Sequence, residues 1–465
     1  MQSFDAIIVG AGQAGPALAG RLTKAGWSVA FVERKLFGGT CVNTGCTPTK
    51  AMVASAHAAH LARRAAEFGV RVADVSIDIA AVIARREAIV AASRNGVEKY
   101  LRDNPKVTVF TGTASFVSPK VLRVGEEQLT AKHIFLNVGG RASVPEMPGV
   151  HDVPYLTNTS LLALDVLPKH LVIVGGSYIG IEFGQMYRRF GSEVTIIEKS
   201  SRLVPREDED VSAGVREILE AEGVDIRLNS HATSVAKDGD GVAITLETDG
   251  KSSEIGGSHL LLATGRRPNT DDLGLENAGV KTDYHGYIEV DDQLRSSVPG
   301  IWALGDCNGK GAFTHTSYND FEIVAANLLD NDPRRVSDRI TTYGLFIDPP
   351  LGRAGMTEAQ VRASGRKALI GTRPMTKVGR AYEKSETQGF MKILVDAETK
   401  EILGAAMLGT GGDEAIHCIL DVMYARKPYT VIQRAVHIHP TVSELIPTML
   451  GELKPFQSGT ISSQP

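Results

Sequence analysis

One local grammar occurs twice in this chain, and it restricts the fold more than any other feature. Phe4 to Val9 is a short apolar run leading into Gly10-Ala11-Gly12-Gln13-Ala14-Gly15, then a helical pattern through Leu18, Leu22 and Ala25, then a second apolar run from Trp27 to Val32. The same order returns at Leu171 to Val174, Gly175-Gly176-Ser177-Tyr178-Ile179-Gly180, a helical pattern through Phe183, Met186 and Phe190, and Val194 to Ile197. An acid follows each second run, Glu33 and Glu198, and each lies 23 residues beyond the first glycine of its own turn. A single glycine-rich turn is a weak signal. Two of them, each between strands and each with its acid at the same offset, point to dinucleotide binding. The turn brings backbone N–H groups and a helix N-terminus against a pyrophosphate, and the carboxylate accepts hydrogen bonds from a ribose diol. Ser177 takes the place of the middle glycine in the second copy, which predicts a slightly less close approach of backbone to ligand there.

From about residue 340 the glycine grammar fades. Strand runs at Gly389 to Val395 and Ile402 to Leu408 now alternate with helical stretches such as Glu414 to Ala425. The predicted fold is therefore α/β, with two Rossmann-like dinucleotide-binding domains followed by a C-terminal α+β domain. A length of 465 residues suits two or three domains. The last residues, Ser458 to Pro465, are polar and read as a frayed tail.

Composition narrows the function. The 48 glycines are an excess that suits many tight turns and backbone-to-ligand contacts. Lys and Arg number 50 against 54 Asp and Glu, a net charge of −4, and no basic stripe with interleaved aromatics is present, so no nucleic-acid partner is expected. The apolar stretch Ala6 to Leu18 follows Asp5 and is rich in glycine, which reads as strand and turn and not as a signal peptide. No run of ~18 apolar residues is present for a membrane span, so no membrane association is expected. Four cysteines are too few for a secreted disulfide scaffold, which makes a reducing cytoplasm the expected location.

Cys41 and Cys46 lie in Gly38-Gly39-Thr40-Cys41-Val42-Asn43-Thr44-Gly45-Cys46-Thr47-Pro48-Thr49-Lys50, where a helical segment running to about Phe68 begins. Zinc sites of this kind usually need two close pairs, whereas Cys307 and Cys418 stand alone, so no metal site is expected. A stapling disulfide would close a loop too short to matter much for chain entropy and would be reduced in the cytosol. A redox-active pair is favoured. Glu207-Asp208-Glu209-Asp210 reads as the first turn of a helix, favoured by its dipole, and Cys307 and Cys418 read as small core residues.

The cysteine segment resembles the flavin disulfide reductases, the class I pyridine nucleotide-disulfide oxidoreductases that include lipoamide dehydrogenase, glutathione reductase and mercuric reductase. Three further segments share the likeness: Thr264-Gly265-Arg266-Arg267-Pro268-Asn269, Trp302-Ala303-Leu304-Gly305-Asp306, and His437-Ile438-His439-Pro440-Thr441-Val442-Ser443-Glu444. The resemblance implies an FAD domain from residues 1–145 and 268–340, an NAD(P) domain at 146–267, and a dimerisation domain at 341–465. It implies FAD contacts from Gly10, Gly12, Gly15, Glu33, Gly39, Thr40, Lys50, Ala114, Gly139 and Asp306. Nicotinamide-cofactor contacts are implied for Gly175, Tyr178, Gly180, Glu198 and Gly265. Electrons would pass from NAD(P)H through flavin and a Cys41-Cys46 redox disulfide to a disulfide or related acceptor.

The resemblance also assigns roles. Cys46 becomes the sulfur that stays ionised beside the flavin and Cys41 the interchange thiol. His439 becomes the base, oriented by Glu444 and donated by the second subunit of a homodimer. Lys50 and Glu182 become an ion pair beside the flavin, and Tyr178 an aromatic cover over it. Physical chemistry agrees with dividing the sulfurs. Lowering a thiol pKa from ~8.5 toward ~5 gains about thirtyfold in thiolate, but a Brønsted slope near ~0.45 returns a similar factor in lost nucleophilicity. A strong depression thus suits the sulfur that leaves or stays ionised more than the one that attacks.

Glu198 would accept from a 2′-hydroxyl and repel a 2′-phosphate, which favours NADH, while Lys199 and Arg202 leave NADPH open. Gly20 stands where glutathione-specific enzymes carry arginine, and the segment Phe456 to Pro465 lacks the cysteine pair of mercuric reductases. Thr314 to Asp320 and Asp348 to Arg353 resemble the mercuric-reductase-like branch that includes the bacterial reactive-chlorine-resistance flavoprotein. The leading expectation is an NAD(P)H:disulfide reductase with a small-molecule disulfide or oxidant substrate. A Hg(II)- or Cu(II)-type metal-ion reductase and a dihydrolipoamide dehydrogenase serving a multienzyme complex remain as alternatives.

Overall fold

The computed structural model describes residues 1–456, and the tail expected to fray lies outside them. Strand Gln2–Val9 is central to the first sheet. It runs parallel to Val29–Glu33 on one side and to Glu127–Leu136 on the other, with Ala6 opposite Val29 and Ile7 opposite Ile134. Val107–Thr111 extends the sheet beyond Val29–Glu33, and Ile301–Ala303 runs parallel to Glu127–Leu136. Ile7, Ile8, Ala30, Phe31, Ile134 and Phe135 are all fully buried, as continuous apolar strands require when both faces of a parallel sheet are covered. The second strand starts at Val29, two residues later than its apolar run, because Gly26 turns the chain at φ +99° and Ser28 binds the Asp5 carboxylate.

The second unit repeats the plan. His170–Val174 lies between Glu193–Ile197 and His259–Leu262, all parallel, with Asp225–Arg227 and Tyr155–Leu156 at the edges. The two passages between the units, Gly140–Ala142 and Arg266–Pro268, pair as an antiparallel ribbon. The third unit is a six-stranded antiparallel sheet in the order Thr342–Leu345, Leu351–Gly355, Ile402–Leu408, Phe390–Asp396, Ala368–Pro374, Lys454–Pro455.

The acidic run does begin a helix, Glu209–Ala221, with Asp208 at its N-cap. Two of its members do more than the dipole argument foresaw. Glu207 and Asp208 are buried against Arg353 and Lys392 of the C-terminal sheet, whose side chains are each 1% exposed. Asp208, Asp210 and Glu358 converge closely enough to hold a cation, and the Lys392 ammonium already sits among them at 2.9, 2.6 and 2.8 Å. Cys307 is fully buried as expected. Cys418 is only half-buried, because it lies on the flank of helix Gly412–Tyr424, where its Sγ donates to the Ala415 carbonyl at 3.0 Å.

Candidate active site

The two glycine turns are built by the same constraints. Gly10 and Gly175 have φ of +102° and +119°, and a Cβ on either would collide with the carbonyl of the strand crossing behind it, from Asn137 and Ala263 respectively. A Cβ on Gly15 or Gly180 would strike the carbonyl of the first glycine of its own turn. The acids close each loop in the same way. Glu33 accepts from the Ala11 and Lys35 N–H groups at 2.8 Å each, and Glu198 from those of Gly176 and Ser200 at 2.7 and 2.8 Å. Each carboxylate is thus fixed at its strand end, with lone pairs left over for a hydroxyl.

The middle position differs for a reason the sequence motif did not reveal. Buried Asn137 accepts from the Gly15 N–H at 3.1 Å and donates to the Leu304 carbonyl at 2.9 Å, so it ties the first turn to the returning strand. A Cβ on Gly12 would lie 2.7 Å from the Asn137 Oδ1. Ala263 is the counterpart of Asn137 in the second unit and has no such oxygen, and Ser177 sits there at φ −109° without strain.

Gly39 packs against the first turn, with the position of its missing Cβ 2.9 Å from the Gly12 Cα. Thr40 follows it in helix Gly39–Thr44. Gly139 and Gly265 have positive φ and face open space. Ala114 is buried two residues beyond Gly112, whose N–H donates to the Glu33 carbonyl at 3.0 Å. Asp306 lies in the short helix Gly305–Asn308, where desolvation holds its pKa above the ordinary carboxylate value despite Arg266 at 3.7 Å.

Cys41 lies in helix Gly39–Thr44 and Cys46 is the first residue of helix Cys46–Arg64, a position where the helix dipole favours an anion. Gly45 joins the two helices, and a Cβ on it would sit 2.8 Å from the Thr40 carbonyl. Both sulfurs are unlinked thiols in this structure, Cys41 half-buried and Cys46 exposed. The hydrogen bond from Cys41, then Thr314 (Oγ1 at 3.4 Å) and the Lys50 charge, bring the Cys46 pKa down to about 6. The same sulfur–sulfur hydrogen bond, with burial, pushes Cys41 far up. One turn along the helix, Lys50 pairs with Glu182 at 2.6 Å and lies 4.5 Å above the Phe346 ring centre. The other Glu182 oxygen accepts from the Phe346 N–H at 2.9 Å.

His439 and Glu444 are held together, with Nδ1 at 3.0 and 2.9 Å from the two carboxylate oxygens. The imidazole is 80% exposed, between the exposed side chains of Val436, Ile438 and Pro440. Tyr178 opens helix Tyr178–Phe190 and meets Phe313 and Tyr343 edge-on. The sequence reading passed over Phe313 and Tyr343, as well as Asn137. It quoted Thr314 only as part of a motif. Gly20 carries no arginine, and its face is covered by the Tyr100 hydroxyl, with which any Cβ would collide.

Residues 4–320 match the family model for pyridine nucleotide-disulphide oxidoreductases, and residues 341–450 match the model for their dimerisation domain. The chain belongs to this family. Among its relatives is the probable pyridine nucleotide-disulfide oxidoreductase RclA of Escherichia coli, 37% identical, with 98% of this chain and all of that protein aligned. Mercuric reductase of Streptomyces lividans is 34% identical, with 95% of this chain and 94% of that one aligned. A solved Cu(II) complex of the HOCl-induced flavoprotein disulfide reductase RclA from Escherichia coli superposes with a TM-score of 0.88 at 37% identity, covering 96% of this chain and 99% of that chain.

As a pyridine nucleotide-disulphide oxidoreductase, the protein is an FAD-dependent enzyme that uses NAD(P)H, and it is an RclA-like flavoprotein disulfide reductase. Its C-terminal sheet is the family's dimerisation domain, which supports a homodimer. The expected α/β architecture with two dinucleotide-binding domains and a dimerisation domain is borne out. Among the described residues no helix is long and apolar enough to cross a membrane.

Proposed function

We propose that Cys41 and Cys46 are the dithiol through which this reductase hands two electrons to its acceptor, in a reducing cytoplasm. The observation that carries the reading is the asymmetry of the pair. Cys46 is the more acidic sulfur, on a helix N-terminus beside Lys50 and Thr314, and Cys41 is the protonated one.

The residues present fit FAD. Bare glycines at 10, 12 and 39 bring two stretches of backbone into contact, Gly139 is open with a positive φ, and Asp306 is a desolvated carboxyl. Gly10, Gly12, Gly15, Gly39, Thr40, Ala114, Gly139 and Asp306 would hold it, with Glu33 on its ribose. FAD, when bound, supplies two-electron transfer between the nicotinamide and the sulfur pair. Lys50, steadied by Glu182, would bring a positive charge beside it.

Gly175, Gly180, Gly265 and Glu198 would hold NADH. The clamped Glu198 supports NADH over NADPH, and so does the engagement of Arg202, which donates to the Pro205 carbonyl at 3.1 Å and pairs with Glu209 at 3.3 Å. Tyr178 would cover the nicotinamide seat until the cofactor arrives.

In the disulfide reaction His439 of a second copy, oriented by Glu444, takes the Cys41 proton. The Cys41 sulfur attacks one acceptor sulfur, the acceptor S–S bond breaks, and the departing thiolate regains the proton from His439. Cys46 then attacks the Cys41 sulfur, which forms the Cys41–Cys46 disulfide and releases the second thiolate. The exposed imidazole supports a base that acts on another subunit. The glycine at position 20, in place of an arginine, supports an acceptor other than glutathione disulfide.

A metal-ion reading has support of its own, because the structures of the Escherichia coli relative include Cu(II) complexes. Two Cu(II) ions would take one electron each from the dithiol, leaving two Cu(I), the disulfide and two protons. NADH oxidation measured side by side with lipoamide, glutathione disulfide, Cu(II) and Hg(II) separates these acceptors. Cys46→Ser is expected to abolish turnover with every productive acceptor, and undiminished turnover in that variant would overturn the reading.

A further inference from the structure

Tyr343 lies on an edge strand of the C-terminal sheet, directly opposite Arg353 in the antiparallel register, so the two side chains share one face. Both reach the same carboxylate. The Tyr343 hydroxyl donates to one oxygen of Glu207, and the Arg353 guanidinium, 1% exposed, holds the other, with its Nε at 3.1 Å. Glu207 belongs to the nicotinamide-binding unit, so this anchor crosses between domains. The Tyr343 ring stacks on Phe313, with centroids 5.7 Å apart and planes at 13°. Tyr178 stands edge-on to both members of that stack, 5.7 Å from each, at 75° to Tyr343 and 79° to Phe313.

We infer that Tyr343 is a positioning residue that holds Tyr178 in its closed place, by presenting a ring whose orientation is locked through the hydroxyl onto the Glu207–Arg353 pair. The inference rests on the reading above in which Tyr178 covers the nicotinamide seat. A protein whose binding-competent state is only partly populated binds its ligand more weakly by that fraction, so whatever favours the closed Tyr178 weakens nicotinamide binding. Edge-to-face rings add attraction beyond their buried area, and two parallel rings, one of them fixed through its hydroxyl, select a single orientation for the third that meets both edge-on. The dimerisation domain therefore sets how readily the seat opens.

The test is the affinity of the oxidised, FAD-loaded homodimer for NAD⁺ by titration calorimetry, in the parent enzyme and in Tyr343→Phe, Tyr343→Leu and Tyr178→Ala. Losing one edge-to-face contact amounts to about a fivefold change, so Tyr343→Leu is expected to bind NAD⁺ about fivefold more tightly. Tyr343→Phe, which keeps the ring and loses the hydroxyl that anchors it, should move part of the way. Both should keep the parent rate of NADH-driven reduction at saturation, giving a lower KM at unchanged kcat. A purely structural defect would not tighten binding. Unchanged or weaker NAD⁺ binding in variants that melt like the parent overturns the inference while Tyr178→Ala still binds more tightly. If Tyr178→Ala leaves NAD⁺ affinity unchanged, the covering role of Tyr178 is wrong and the inference falls with it.

Discussion

The acidity of Cys46 is the sharpest handle on the proposed chemistry, and Thr314 is the contributor that can be removed with the least disturbance. Thr314→Val keeps the shape of the side chain and deletes the hydroxyl that lies 3.4 Å from the Cys46 Sγ. A hydrogen bond to a charged group is worth ~1.5–3 kcal/mol, and a long one to sulfur belongs at or below the lower end, so ~1.4 kcal/mol is a fair figure. That equals about one pKa unit. The titration midpoint of Cys46 should then move from about 6 to about 7. At about pH 7 the thiolate fraction would fall from roughly nine-tenths to roughly half, against a few per cent for an unperturbed cysteine. The assay is the pH profile of iodoacetamide alkylation of the reduced enzyme, with the modified cysteine identified by peptide mass. The parent should alkylate at Cys46 along the acid limb of the profile, and the variant profile should shift upward. Identical midpoints in the two proteins, or alkylation of Cys41 first on the acid limb, would refute the assignment of Cys46 as the ionised sulfur.

Arg353→Met strands the buried Glu207 carboxylate and takes one of two cations from Asp208, so it should cost about 3–5 kcal/mol, read as a lower urea midpoint. An unshifted midpoint would mean that the network contributes little to the joint between domains. Asp348 is held below the ordinary carboxylate range by His57 and Arg189 against its burial, and Asp208 is held there by Arg353 and Lys392. Because the folded pKa values are depressed, this stabilisation is complete above the unfolded carboxylate value of about 3.9 and is lost as pH falls below it. Unfolding free energy measured across that acid range should therefore fall faster in the parent than in a His57→Ala variant. Gly12→Ala would put a methyl group 2.7 Å from the Asn137 Oδ1 and should abolish FAD retention on purification, whereas Ser177→Ala should leave nicotinamide affinity unchanged.

What the sequence reveals and what it hides divide along contact range. The glycine turns, the acid at the end of each second strand and the cysteine pair are all short-range, and each is legible because dinucleotide or thiol chemistry asks for a residue type at a fixed offset, whereas the equally local His439–Glu444 couple was legible through its motif's resemblance to the family. Strand Ile402–Leu408 and the helix opening at Glu209 follow equally from local pattern. Asn137 was not legible, because its partners Gly15 and Leu304 lie 122 and 167 residues away. The only signal was an amide interrupting the apolar run Ile134 to Val138. Glu207 and Asp208 show the same limit in another way. An acidic first turn is the local reading, and it holds, but the arginine that buries these acids comes from a strand 145 residues beyond Asp208 and the lysine from one 182 residues beyond Asp210, within an apolar core that no pattern of four charges announces.

The two dinucleotide units then show how one architecture admits different residues without changing its function. Both need glycine at the first and last positions of the turn, because there the obstacle is backbone, which every copy has. Both fix the acid on the turn's own N–H, so the carboxylate is oriented before any ribose arrives and little ordering entropy remains to be lost on binding. The middle position is the free one, because its obstacle is a side chain. Where Asn137 supplies an oxygen to bind Gly15 and Leu304, Gly12 must stay bare. Where Ala263 supplies none, serine fits. The departure of Ser177 from the motif is therefore a consequence of the neighbouring strand, and the two positions of the second turn whose obstacle is backbone, Gly175 and Gly180, are intact.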